Sequence, residues 1–243
     1  MSLVPEFPRA LLREKSHSWN LLSVAKTGGQ TAASPGAVIR SDGGGFWACT
    51  MTDVSLGAGT GRRGRDRQKV ATLLWRAVRQ ICDGGVNTII VPRNDALFRP
   101  WPSGIAAKAW LDLPHEDGAL FDDGAGYYQP AIDIVAAAAA LRATSLDITI
   151  NQAGDLMGGE AFSIEHATVG VRLYEIATVD YADEASATIT FNPPLREAIA
   201  HDAPLDFDRP RCTMRLATPS AMDLTVQPWT FNNASVSFVE AFS

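Results

Sequence analysis

The sequence predicts a mainly β protein with a single helix on its flank, and three observations carry that expectation. Short runs in which apolar and polar residues alternate recur along the chain, most densely over residues 145–216. Turn-forming glycines, prolines and asparagines break these runs at short intervals. Only residues 66–82 show the three-and-four spacing of an amphipathic helix. One helix among many short strands suits a β-sandwich or a β-barrel.

Residues 1–18 hold Pro5 and Pro8 and read as an arm or a first edge strand, and residues 19–25 follow as a strand. Gly28, Gly29, Pro35 and Gly36 mark a loop, 38–40 a short strand, and Gly43, Gly44 and Gly45 a turn. Residues 46–54 form a strand: Trp47, Cys49 and Met51 fall on one face and Ala48, Thr50 and Thr52 on the other. In the helix, Val70, Leu73, Leu74, Ala77, Val78 and Ile81 recur as one apolar stripe. Gly84 and Gly85 end it, since glycine accepts the left-handed cap conformation. A strand at 87–92 follows.

Residues 93–130 carry Pro100, Pro102, Pro114 and the aromatics Trp101, Trp110, Tyr127 and Tyr128, and read as long loops that can include a small hairpin, with a job such as binding a neighbour. Residues 132–142 stay open: five consecutive alanines favour helix, while the flanking IDIV and LDITI favour strand. Further strands are expected at 146–150, 162–164, 170–179, 187–191, 212–216, 223–226 and 234–239. Pro193 and Pro194 donate no ladder hydrogen bond, so the strand before them stops there and 195–200 makes a turn of helix.

Composition narrows the function classes. At 243 residues the chain is one large β-domain or two smaller ones, long enough for a real core. Its formal charge of −6 does not favour phosphate contacts, which need clustered Lys and Arg. The one basic cluster, Arg62, Arg63, Arg65, Arg67 and Lys69, reads as a solvated loop and helix start. Cys49, Cys82 and Cys212 are odd in number and show no CxxC spacing, which argues against a disulfide framework or a zinc site and for synthesis in a reducing compartment. No apolar run has the length of a signal-peptide core or a membrane span.

The motifs that suggest chemistry fail on context. Gly59, Gly61 and Gly64 satisfy GxGxxG between a strand and a helix. The preceding strand alternates, however, whereas a central parallel strand is continuously apolar, and no series of βαβ units follows. His17, His115, His166 and His201 are scattered without HxH or HExxH spacing. His115, Glu116, Asp117, Asp122 and Asp123 read as solvated loop charges. A triad on His166 or His201 lacks the GxSxG elbow. The expectation is no enzyme, no cofactor and no metal. Of the six tryptophans, Trp47 and Trp75 fit core positions. Trp101 and Trp110 lie in loops, where packing on another subunit is preferred over stacking on a sugar ring.

Three segments resemble a known family: residues 47–92 (strand, loop, amphipathic helix, strand); 152–176, with Gln152-Ala-Gly-Asp155, Phe162-Ser-Ile and Leu173-Tyr-Glu-Ile; and Ile189-Thr-Phe-Asn-Pro-Pro-Leu-Arg-Glu-Ala198, followed by Pro210-Arg-Cys-Thr-Met-Arg-Leu216. On these the chain resembles tail-tip proteins of long-tailed bacteriophages (siphoviruses) and of gene transfer agents, most of all the distal tail protein type. The last segment is the most specific.

The resemblance implies a virion structural protein that forms a ring, a hexamer in this family, joining the tail tube protein to the hub and baseplate proteins. Genomic DNA would pass through the lumen without specific binding. The protein would be assembled in the host cytoplasm and end at the virion tail tip, with no membrane insertion and with a host-surface glycan as a further partner. The implied architecture is a ring-forming β-sandwich from residues 1–139 and 213–243, with a smaller β-barrel or β-sandwich inserted at 140–212. The subunit-interface residues expected are Phe7 and Trp19 of the arm, Arg62, Arg63 and Arg65 of the 57–67 loop, and Trp101 and Trp110. Two rivals remain: a carbohydrate-binding module using residues 140–212 on the same virion, and a hydrolase built on a histidine.

Overall fold

The computed structural model describes residues 4–22, 25–27, 29, 38–40, 44–57, 62–104, 110–113, 127–226 and 232–242. The strands are β1 Ser16–Leu22, β2 Ala25–Thr27, β3 Val38–Arg40, β4 Phe46–Ser55, β5 Ile89–Pro92, β6 Trp110–Leu113, β7 Tyr127–Gln129, β8 Asp133–Ala136, β9 Ser145–Gln152, β10 Ala161–His166, β11 Gly170–Asp183, β12 Ser186–Asn192, β13 Ala203–Pro204, β14 Arg211–Leu216 and β15 Asn233–Glu240. One long helix, α1 Arg62–Cys82, joins β4 to β5 by way of a 3-10 turn at Asp83–Gly85. The protein is mainly β, with two principal sheets. Among the described residues no helix is long and apolar enough to cross a membrane.

The chain divides into two units, Met1–Pro92 with Cys212–Ser243, and Arg93–Arg211. The outward crossing therefore comes at Pro92/Arg93, not near Ala140. Residues 93–139, expected in the first domain, belong to the second, because β8 pairs with β9 and supplies Ile134 and Ala136 to that unit's core.

The first unit is a five-stranded sheet in the order β1-β4-β15-β14-β5. β4 alternates as its sequence predicts, with Trp47, Cys49 and Met51 buried. Asp53 then adopts a left-handed φ of 51°, and the opposing strand shifts register between Ala234 and Val236. This bulge moves the buried phase to Val54. The N-terminal segment runs parallel beside β5: Phe7 N–H donates to Ile90 O at 2.8 Å and Ile90 N–H to Pro5 O at 2.9 Å.

Helix α1 starts at Arg62, so Arg62, Arg63 and Arg65 are helical rather than looped. Arginine is a good helix former, which outweighs Gly64 in the first turn. Its buried face is Ala71, Trp75, Val78 and Cys82, and Trp75 Nε1 donates to Met222 O at 3.1 Å. The predicted stripe is therefore rotated: Val70, Leu73, Ala77 and Ile81 are exposed. The helix has two apolar arcs, and the arc carrying the large Trp75 side chain takes the core because it removes the most apolar surface from water.

The second unit is a six-stranded antiparallel sheet, β10-β11-β12-β9-β8-β13, that curls into a nearly closed barrel. Ser163 N–H donates to Asp206 O at 3.0 Å and Asp206 N–H to Ser163 O at 2.9 Å, which brings the segment after β13 against β10. Phe162 sits at the centre of the core, with its ring centroid 5.3–5.8 Å from those of Tyr174, Phe191 and Phe207. The alanine run is extended here, with Ala139 bridging Ile199; pairing across the barrel overrides alanine's helix propensity. Residues 195–200 accordingly form no helix. The small hairpin expected among the loops is present as β6 with β7.

Candidate functional site

The titratable groups were the first candidates for chemistry. His166 is buried, and its Nε2 lies 2.8 Å from Tyr174 Oη. Tyr174 Oη also accepts the Arg196 backbone N–H at 3.1 Å, so the phenol is held between the histidine ring and the backbone. Burial holds His166 below the ordinary imidazole pKa; the Arg172 charge adds to this and Glu197 opposes it. Its neighbour is thus a core tyrosine rather than a nucleophile. His17 Nδ1 lies 3.2 Å from Glu14, and exposed His201 lies 2.9 Å from Asp202.

Among the described residues no three His, Cys, Asp or Glu side chains are placed to hold a metal ion. His115, Glu116, Asp117, Asp122, Asp123, Gly59 and Gly61 lie outside the described residues. All three cysteines are buried and free, and burial pushes the Cys82 thiol up to about 11.

Surfaces suited to another chain are better developed. Among the described residues β1 pairs on one side only, with β4, in continuous register from Ser16↔Thr52 to Leu22↔Phe46. Its sequence, SHSWNLL, contains no Lys, Arg, Asp, Glu or Pro. Edge strands that avoid pairing usually carry a charge or a proline. The opposite margin is protected in that way, because the segment beside β5 is bracketed by Pro5 and Pro8. Trp19, half-buried on β1, packs edge-on against Trp47 at 6.5 Å, and its indole N–H has no hydrogen-bond partner among the described residues.

The remaining expected interface residues scatter. Phe7 is fully buried, with its ring edge-on to Phe238 at 5.6 Å, so it offers no surface to another subunit and leaves the interface set. Trp101 is half-buried on its own unit's core. Its Nε1 donates to Ala96 O at 2.7 Å, and Arg99 lies 5.6 Å from its ring centroid. Gly154 makes that packing possible, since a Cβ there would sit 2.5 Å from Trp101 O. Trp110 begins β6, opposite Gln129. Arg62 and Arg63 lie on the first turn of α1, and Arg65 is exposed there.

Charge is divided between the units, which whole-chain arithmetic conceals. The first has thirteen Lys and Arg against eight Asp and Glu, net +5; the second has eight against nineteen, net −11. Helix α1 alone carries seven basic residues and one acidic.

A cavity of about 360 Å³ opens over the outer face of the barrel seam. Phe162 and Ile164 of β10 point into the core, so Ser163 and Glu165 point outward into the cavity, beside Asp206, Asp208 and Arg211. Asp206 Oδ2 accepts from Arg211 Nη2 at 3.4 Å. Ser163 is buried, and its hydroxyl has no partner among the described residues. No protein-family model and no curated protein matches this chain.

Proposed function

We propose that the chain is a virion structural protein of a phage-type tail tip, acting by self-assembly into a ring rather than by catalysis. The observation that carries this reading is the uncharged margin of β1, unpaired among the described residues and set against an opposite margin bracketed by proline. Such a margin is a template for main-chain pairing with another chain. The resemblance of residues 189–216 to distal tail proteins supplies the context: a hexameric ring between tail tube and hub, with DNA passing through the lumen. The β-sandwich architecture of the first unit belongs to the same reading. An acidic lumen, which would let DNA phosphates slide past, would have to draw its carboxylates from the second unit, because the first is net +5. The decisive experiment is the mass of the purified particle by light scattering. Six times the 26.0 kDa chain mass is expected, and a monomer at all concentrations overturns the proposal.

The seam cavity favours a second reading, a carbohydrate-binding module. The unpartnered Ser163 hydroxyl stands among carboxylates and a guanidinium, the mixture of acceptors and donors that sugar hydroxyls need. A glycan array probed with the full chain tests it. Binding that falls with Ser163→Ala would support it, and silence across the array would dismiss it.

A further inference from the structure

Two exposed surfaces, one in each unit, are complementary in chemistry, and we propose that they meet head to tail between successive copies of the chain. The inference rests on the self-assembly reading and names its contact.

The first surface is the outer face of α1. Val70, Leu73 and Ile81 are 56%, 51% and 44% exposed, an apolar row that the fold leaves uncovered. Leu73 and Val226 help line a groove of about 330 Å³ that also holds Arg65, Lys69 and Arg76, and among the described residues no acidic side chain lines it. The helix pays locally for this arrangement: Arg62, Arg63 and Arg65 crowd the positive end of its dipole, with no acid in the first turn. A local rule broken in this way is a mark of use elsewhere.

The second surface is the closed end of the β11–β12 hairpin. Tyr181 is 42% exposed although its hydroxyl is fixed, accepting the Leu156 backbone N–H at 2.6 Å. That bond brings the next residue, Met157, 87% exposed, into the same neighbourhood. Asp183 and Glu184, both exposed, follow the tyrosine at the turn, and exposed Asp180 precedes it on the other face of the strand. The Ser186 hydroxyl, and the Ala185 N–H that Asp183 Oδ1 accepts at 2.8 Å, favour the ionised form of Asp183.

An apolar knob at an acidic hairpin end fits an apolar groove lined by cations. Either surface meeting its own copy would place like charges together, so the favourable pairing is between unlike surfaces. Contacts of that kind repeat from copy to copy and close into a ring when the rotation per subunit divides a full turn. The +5 and −11 units draw successive copies into the same orientation at longer range.

The test uses the full chain. Arg65→Glu with Arg76→Glu, and separately Asp180→Lys with Asp183→Lys, are each expected to weaken assembly at low salt by about tenfold or more in sedimentation. All four changes together should restore it. Leu73→Cys with Ala182→Cys should give an interchain disulfide ladder on mild oxidation, because Cys49, Cys82 and Cys212 are buried. An oligomer indifferent to both reversals and giving no ladder overturns this contact while leaving the ring reading intact. A disulfide confined within single chains overturns it as well. A wild-type chain that never associates overturns both.

Discussion

Replacing Phe7 with alanine separates a core residue from an interface residue. Its side chain is fully buried, packed edge-on against Phe238 at 5.6 Å on a segment tied to β5 by two backbone hydrogen bonds. Truncating a buried phenylalanine costs about 3–5 kcal/mol, and the hydrogen bonds survive because they are main-chain. A unit of this size has a total stability of about 5–15 kcal/mol. At about 4 °C per kcal/mol, the first unit should melt roughly 12–20 °C lower. Thermal unfolding followed by circular dichroism measures the shift, and hydrogen exchange at the Ile90 amide, which donates to Pro5 O, localises it. A loss under about 1 kcal/mol together with reduced particle mass would show that Phe7 faces another chain and is no core residue.

Asn20→Lys on the exposed face of β1 should leave the subunit's melting temperature unchanged and reduce the mass of the assembly, because a charge on an edge strand blocks pairing. Gly154→Ala should destabilise the second unit by about 1–3 kcal/mol in denaturant titration, since its Cβ would meet Trp101 O at 2.5 Å. His166 has a folded-state pKa below that of the unfolded chain, so its contribution to stability is complete above pH ~6.5 and declines as pH falls below it. The denaturant midpoint should fall between neutral and mildly acidic pH, and less steeply in His166→Gln. Cys82, with its thiol near 11, should resist alkylation at neutral pH until the chain is unfolded.

What could be read from the sequence was local. The alternation of Trp47, Cys49 and Met51 identified β4 and its buried face, because side chains on a strand alternate whatever lies beyond them. Helix α1 and its glycine stop were likewise visible, since 3.6-residue periodicity and the left-handed conformations of Gly84 and Gly85 are properties of the chain itself. Which of its two apolar arcs would be buried was not visible. That depended on Trp75 finding the Met222 carbonyl 147 residues away. The charge division between the units was present in the sequence but hidden until their boundary at Pro92/Arg93 was known.

The sequence by itself determined that this is a β-rich chain with one amphipathic helix, in which the GxGxxG match at Gly59–Gly64 lacks a βαβ context. Only the tertiary structure decided the rest. It drew the alanine run into the barrel through β8 and Ala139, buried Phe7, and, among the described residues, left β1 paired on one side only. Pairing partners and burial are set by contacts between residues far apart in the chain, and those contacts outweigh the fraction of a kcal/mol per residue that local propensity supplies.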